Sequence, residues 1–470
     1  MSTEHLLHAR TDVGRAREHN EDNFFCDRPM GLYVVADGMG GHAAGEVASA
    51  MAIQAVAATM QRARAQVEAF ARGGEGAARA EDIRQLLGHA VSQANREVYA
   101  AAQASVERRG MGTTLTALLL VNDRAFIAHV GDSRVYVMRG GEVRQLTEDH
   151  SVVNELRRRG RLRPEVLSQI QHKNAVTRAI GVFENVEVDT YMFLAAPGDR
   201  FVLCSDGLHR YLDREQDLGP LLTDATEETA SGRMINFALE RGGADNVTVV
   251  VVTLPDASSR DRVVRELSEQ YQALSGVPFF RHLEPRELLF LQATARLRDA
   301  IPGEAIVREG DAGDAMFVIV SGTCAVKKGD VEIARLKAGE HFGEMSLVES
   351  VPRSASVVAD DDARLLAFAR NDVFKVLREN KDLGMKLLWN IITALAGRLR
   401  ETSTQLGEAR EALAAEDLTA HLFLQENYAT LPTHPPPRRS GDRDTLLDLD
   451  AEADAGATQE LRFVPKMPEF

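Results

Sequence analysis

Four aspartates stand where apolar runs stop. Asp37 follows GLYVVA, Asp132 lies in HVGDSRVYV between two such runs, Asp206 comes directly after FVLCS, and Asp245 directly precedes NVTVVVV. Short runs of this kind, bounded by Gly, Asp or Asn, read as strands, so each carboxylate belongs to a strand end. A carboxylate placed there leaves the core while its position stays rigid. Several that converge form an all-oxygen site of the kind Mg²⁺ or Mn²⁺ prefers. For any single one the plainer reading is an Asp-Gly turn. Four in one arrangement are harder to explain that way.

The stretch ADGMGGHAAGE at 36–46 also satisfies the G-x-G-x-x-G/A pattern of a dinucleotide site. That reading needs an acidic residue about 20 positions on for the ribose, and no Asp or Glu lies between Glu46 and Glu68. It also needs a prompt return to a parallel strand, whereas the Ala-rich helical pattern runs on. The dinucleotide reading therefore fails.

At 470 residues the chain is too long for one ordinary core, which points to two or three domains. Asp and Glu outnumber Lys and Arg by 70 to 55, a formal charge of -15, which argues against nucleic acid as the main partner. Cys26, Cys204 and Cys324 show no CxxC spacing and read as core residues of a reduced, cytoplasmic protein. The start MSTEHLLHAR lacks a signal-peptide core and no run reaches membrane-spanning length, so no membrane is expected as a partner.

Strands and long helices mix over 5–254, with two Ala-rich helices at about 43–70 and 79–105 separated by RGGEGA. A charged connecting helix or linker is expected over 255–276. A new β-rich region spans 277–406 and ends in a helix at about 383–406. Beyond it, 411–470 is polar, then Pro-rich, then acidic, and reads as disordered.

GRAREHNEDNFF at 14–25, ADGMGGHAAGE, MGTTLTALLL at 111–120, HVGDSRVY, LCSDGL and ADNVTVV follow one another in the order of the metal-dependent (PPM, type 2C) protein phosphatases, and 5–254 resembles that family. The resemblance implies an α+β fold, a four-layer α-β-β-α sandwich with a site for two Mn²⁺ or Mg²⁺ at one end. By motif, Asp37 would bridge both ions, the Gly38 carbonyl would bind one, and Asp206 and Asp245 would complete the direct ligands. Glu21 and Asp22 would sit in the water-mediated shell, and Asp132 with Asp206 resembles a third, weaker metal site. Arg17 matches the arginine that grips substrate phosphate, which it can do bidentately. The implied activity is hydrolysis of phosphoserine and phosphothreonine proteins by a metal-bridging hydroxide, so Cys204 is expected to pack and not to attack. Animal members carry histidine directly after Asp-Gly. Met39 stands there in this chain, and with His42 and His150 read as capping or surface residues the general acid stays open. Residues 147–182 match the family's variable flap, whose RRRGRLR cluster suits either acidic substrates or a solvated helix face.

In the second region GEHFGEMSLVESVPRSASVVA sets a Gly-Glu turn nine residues before an arginine. From FFRHLEPREL through GDAGDAMFVIVSG and FGEMSL to PRSAS, 277–406 is similar to the cyclic nucleotide-binding domains, which implies an eight-stranded β jelly-roll barrel with flanking helices. Glu344 would accept from the ribose hydroxyl and Arg353 would pair with the cyclic phosphate. Gly343, Met345 and Ser346 would line the turn, with Ser354 and Ala355 beside the arginine. Serine at 354 suits cAMP and cGMP receptors alike, so either nucleotide is the expected effector. Leu388, Ile392, Leu395, Leu399 and Leu406 form an apolar stripe, open to two uses: a homodimer contact through 383–406 or a lid on the barrel.

Two readings follow. One is a serine/threonine phosphatase regulated by a cyclic nucleotide, working with a cognate kinase or that kinase's substrates. The other is a weak or dead phosphatase fold acting as a nucleotide-responsive scaffold.

Overall fold

A computed structural model describes residues 5–40, 44–74, 77–158, 175–349 and 351–428. Its first half holds strands β1 (Leu6–Asp12), β2 (Asp22–Asp27), β3 (Leu32–Met39), β4 (Gly112–Thr113), β5 (Leu115–Val121), β6 (Arg124–Val130), β7 (Arg134–Arg139), β8 (Glu142–Gln145), β9 (Asp189–Leu194), β10 (Arg200–Cys204) and β11 (Val247–Thr253). They pair antiparallel into two sheets, β1-β11-β10-β7-β8 and β2-β3-β5-β6-β9, with β4 attached to β3.

Side chains alternate across a strand with a period of two, and both faces of β3, β5 and β6 are apolar because both are covered. On one face Tyr33, Val35, Leu118, Leu120 and Ile127 meet Val135, Phe201, Leu203 and Val250 of the other sheet. On the opposite face Leu32, Val34, Ala117, Leu119 and Phe126 pack under the helices Ala44–Arg62 and Ala80–Ala104. The second sheet turns Tyr136, Val202, Cys204 and Val249 toward Ala230, Met234 and Ile235 of the helix Glu227–Glu240. The layering is α-β-β-α, as the resemblance implied. Burial pushes the Cys204 thiol up to about 12, which removes it as a nucleophile.

The strand reading missed β1, β8 and β9. All three are sheet edges, where one flank lacks a neighbour and partial burial blurs the apolar signal.

The helix Arg260–Gly276 and the helix Pro285–Thr294 lead into eight further strands. These are β12 (Arg296–Ala300), β13 (Ala305–Val307), β14 (Ala315–Ser321), β15 (Thr323–Lys328), β16 (Val331–Lys337), β17 (His341–Phe342), β18 (Ser356–Ala359) and β19 (Ala363–Ala369). They form two antiparallel four-stranded sheets, β12-β19-β14-β17 and β13-β18-β15-β16. Phe317 and Leu365 of the first share one core with Ile306, Cys324 and Val357 of the second.

The last helix departs from the expected span. It runs over Lys381–Tyr428, through residues 411–428 that the sequence reading placed in the tail. Ala, Leu and Glu dominate there, all strong helix formers, and the first proline comes only at Pro432. The rest of the tail lies outside the described residues. The described residues up to Arg398 form one compact unit, and those from Leu399 on belong to another. Among the described residues no helix is long and apolar enough to cross a membrane.

Candidate functional site

Strand direction brings the four aspartates together. Both β3 and β6 run antiparallel to β5, so Asp37 and Asp132 reach the same end of their sheet. In the other sheet Cys204 pairs with Val249 and with Arg134, which sets Asp206 beside the starts of β11 and β7. Polar contacts close the two sheet ends onto each other. The Thr114 and Ser133 hydroxyls lie 2.8 Å apart, Ser205 Oγ donates to Asp22 Oδ2 at 2.7 Å, and the Glu21 N–H donates to Asn246 Oδ1 at 2.9 Å. Backbone approach is tightest at Gly38, where a Cβ would stand 2.3 Å from the Gly45 carbonyl oxygen and 2.6 Å from that of Glu21. Only glycine fits this crossing.

The cluster is strongly anionic. Burial raises the Asp37 carboxyl well above the ordinary range, and Asp22, Asp206, Asp132 and Asp245 add repulsion. Burial also lifts Asp22 and Asp132 to about 7 each, and it raises Asp206 and Glu21. Among the described residues, Asp22 Oδ1 and Asp206 Oδ1 are buried without a hydrogen-bond partner. Buried carboxyl oxygens that repel one another and lack donors are a donor set suited to hard divalent cations. Among the described residues no three His, Cys, Asp or Glu side chains stand as a ready-made cage. Arginines hold two of the carboxylates instead.

Arg17 grips Asp245 with both edges of its fork, Nε to Oδ1 at 2.8 Å and Nη2 to Oδ2 at 3.0 Å. The phosphate-gripping candidate thus sits on a metal-ligand candidate, with half of its side chain exposed. Arg210, missed in the sequence, donates to Asp206 and approaches Asp245 Oδ2 at 3.4 Å. Its signal was the i, i+4 spacing from Asp206 on a helix start. Asn246 was also missed. Its Nδ2 donates to the carbonyls of Val13 and His19 at 2.9 Å each, fastening the loop that carries Arg17. Nothing in the motif ADN distinguishes that duty from turn formation.

His150 is a buried tie, not a surface residue. Its Nδ1 accepts from the Gly131 N–H at 3.1 Å and its Nε2 lies 3.1 Å from Asp189 Oδ2. His129 and His209 are buried too, and burial lowers each to about 3. His209 Nε2 donates to the Asp132 carbonyl at 2.9 Å. His42 and most of the RRRGRLR cluster lie outside the described residues.

The two lowered histidines set an acid limit. Between about pH 6.5 and 3 the unfolded chain takes up protons that the folded chain refuses, so stability falls as pH drops through that window. At pH 5 each histidine contributes a loss of about 2 kcal/mol. Urea unfolding of wild type and His129→Gln at pH 7.5 and pH 5 checks this. The variant is expected to lose less stability between the two pH values; an equal loss in both proteins contradicts it.

The second site assembles around Arg353. Its Nη1 donates to Ser346 Oγ and its Nη2 to the Ala315 carbonyl, both at 2.8 Å. Gly343 makes the turn at φ +77°, and a Cβ there would meet Arg353 Nη1 at 2.4 Å. Glu344, Ser346 and Arg353 are buried, while Met345 and Ser354 are exposed and Ala355 is half-buried. Burial lowers the Arg353 pKa, opposed by the nearby charges of Asp314, Glu344 and Asp311. A buried guanidinium at a tight Gly-Glu turn is suited to receive an anion.

Comparison with known proteins bears on both sites. A family profile described as "Protein phosphatase 2C" matches residues 14–239 and one described as "Cyclic nucleotide-binding domain" matches residues 297–380. The serine/threonine phosphatase stp of Listeria innocua is 38% identical over 251 residues, 52% of this chain and 95% of that protein. The serine/threonine protein phosphatase PstP of Mycobacterium tuberculosis is 39% identical over 248 residues, 53% of this chain and 45% of that protein. A crystal structure of a PstP catalytic domain with two manganese ions covers 54% of this chain and 100% of its own, at 36% identity and a TM-score of 0.45. Such identity across nearly the whole Listeria enzyme decides the family, and the chain belongs to the protein phosphatase 2C family, with a cyclic nucleotide-binding domain in its second half.

Proposed function

We propose that this chain is a Mn²⁺- or Mg²⁺-dependent protein serine/threonine phosphatase whose turnover responds to cAMP or cGMP. The observation that carries the first part is the buried aspartate cluster with its unpartnered oxygens. Asp37, Asp206, Asp245 and the Gly38 carbonyl are assigned to two divalent ions, Glu21 and Asp22 to the surrounding water shell, and Asp132 with Asp206 to a third ion. Bound there, such ions supply an activated water and neutralise the phosphate's charge.

The chain's own residues do the rest. Arg17 exchanges Asp245 for the substrate phosphate, a swap its half-exposed position permits. Asn246 holds the Arg17 loop in reach. His209, held neutral by burial, keeps the Asp132 backbone in place.

The regulatory part rests on Arg353 and the Gly343–Ser346 turn. The cyclic phosphate takes the guanidinium, and the buried Glu344 takes the ribose hydroxyl. Substrates are phosphoserine and phosphothreonine proteins, including those of a cognate kinase, in the cytoplasm. A second copy of the chain is proposed to pair through 383–406. On that helix Leu383, Leu387 and Ile391 face the core, while Leu388, Trp389 and Ile392 remain exposed. Hydrolysis of a phosphothreonine peptide by the full chain, with Mn²⁺ and after chelation, tests the catalytic reading. Mn²⁺-dependent turnover is expected; turnover that survives chelation, or none under either condition, contradicts it.

A further inference from the structure

The segment that borders the phosphatase site is held from both sides. Three consecutive residues, Glu148, Asp149 and His150, each reach a different neighbour. Asp149 pairs with Arg134 through both oxygens, at 2.8 and 2.6 Å. His150 exchanges two hydrogen bonds with Gly131, its N–H donating to the Gly131 carbonyl at 2.8 Å. Those two contacts fasten the segment to the loop that carries Asp132. Glu148 points the other way. Its Oε2 lies 2.8 Å from Arg286 Nη2, on the helix Pro285–Thr294 of the second half.

That pair is not a surface accident. Its side chains are only 16% and 14% exposed for Arg286 and Glu148. Exposed ion pairs contribute little, whereas a buried one pays a large desolvation cost and is best attested as a device that sets register or switches state. Apolar contact would suffice to hold the two halves together, and the structure already has it: the Tyr191 ring meets Phe290 edge-on at 6.2 Å. The charged pair adds position.

The network continues toward the nucleotide-binding half. Arg286 also pairs with Glu284 at 2.8 Å. The neighbouring Glu287, itself buried, accepts from Lys386 Nζ at 2.8 and 2.9 Å. Lys386 belongs to the helix Lys381–Tyr428 that leaves the barrel, and Asp382 one turn earlier pairs with Arg158 at the end of the helix Val152–Arg158. A cleft of about 500 Å³ lies along this line, with Asp132 and Asp206 on one wall and Glu284, Pro285 and Arg286 on the other.

We infer that Arg286 is a positioning residue of the phosphatase site, acting through Glu148, and that this pair carries the nucleotide signal to it. The second part rests on the regulatory reading above; the first does not. A shift of the Lys381–Tyr428 helix on nucleotide binding moves Lys386 and Asp382 together, and both partners lead to residues 148–158. The Asp132 loop then feels the change through Asp149 and His150. Ligand binding can bias the site only through contacts that differ between two states, and these contacts span the distance.

The test uses the full chain with Mn²⁺, a phosphothreonine peptide, and cAMP and cGMP as probes. Arg286→Ala is expected to lower kcat/KM about 10-fold, to speed amide exchange over 147–158, and to abolish any change of turnover on adding nucleotide. Calorimetric nucleotide affinity should stay within about threefold of wild type, because Arg286 pairs with Glu148 and Glu284, neither of which belongs to the nucleotide site. Arg286→Lys should recover part of the loss. Should Arg286→Ala not fold, the isosteric Glu148→Gln leaves Arg286 its Glu284 partner and should give the same pattern. Arg286→Ala with wild-type kcat/KM and exchange, and only a lowered melting temperature, overturns the positioning role. A wild type that responds to nucleotide and an Arg286→Ala that responds equally overturns the relay and leaves the regulatory reading standing. A wild type indifferent to both nucleotides sinks the regulatory reading and the relay together, while kcat/KM and exchange still decide the positioning role.

Discussion

Asp37→Asn is expected to abolish Mn²⁺-dependent hydrolysis of a phosphothreonine peptide, by at least about 10³-fold, yet to make the metal-free protein more stable. The loss follows from removing the carboxylate assigned to both ions, whose contribution to such chemistry is several kcal/mol. The gain follows from the same residue's surroundings. Asp37 uses its backbone N–H and carbonyl to hold Thr114 and Thr113, whereas its carboxyl carries no hydrogen bond or ion pair among the described residues. It stands among Asp22, Asp206, Asp132 and Asp245, which together with burial raise it well above the usual range. A neutral side chain of the same shape removes that repulsion, worth about 1–3 kcal/mol at pH 7. Melting curves in chelator and kinetics in Mn²⁺ give both readouts. A variant that stays active, or one that is less stable without metal, contradicts the assignment.

Arg353→Ala is expected to weaken cAMP and cGMP binding by about 2–5 kcal/mol, roughly 30-fold or more, the usual consequence of truncating one partner of a buried charged contact. In the structure the buried guanidinium donates to Ser346 Oγ and the Ala315 carbonyl, which fix its orientation at the turn. Arg353→Lys keeps the charge but loses the fork, so its affinity should fall between those of wild type and Arg353→Ala. Calorimetry on the three proteins checks the order. Wild-type affinity in Arg353→Ala would remove the cyclic phosphate from this residue.

The layering was legible in the sequence because its strongest strands are buried on both faces. LYVVAD and TLTALLLV have nowhere to hide in a two-layer fold, and the structure covers them with a sheet on one side and helices on the other. The aspartate cluster was legible for a related reason: each of its four strand-end members stands at the end of an apolar run. What escaped depends on partners far away in the chain. Asn246 matters because of the 13–21 loop, a relation with no local mark, and Arg210, whose i, i+4 spacing from Asp206 is local, also reaches Asp245. Glu148 and Arg286 lie 138 positions apart by their numbering, each an ordinary charged residue in its own stretch. The helix beyond residue 406 was cut short for a different reason. Its polar composition resembles a tail, but Ala, Leu and Glu favour a helix whether or not an apolar face is buried.

The proposed property, metal-dependent phosphatase activity under nucleotide control, is reached directly by one assay. The full chain is incubated with a phosphothreonine peptide and Mn²⁺, alone and with saturating cAMP or cGMP, and released phosphate is followed. Turnover should require Mn²⁺ and should rise when one of the nucleotides is added, with a coupling of about 1–3 kcal/mol between the two binding sites. Absence of Mn²⁺-dependent phosphate release would contradict the catalytic assignment, and equal release with and without both nucleotides would contradict the control.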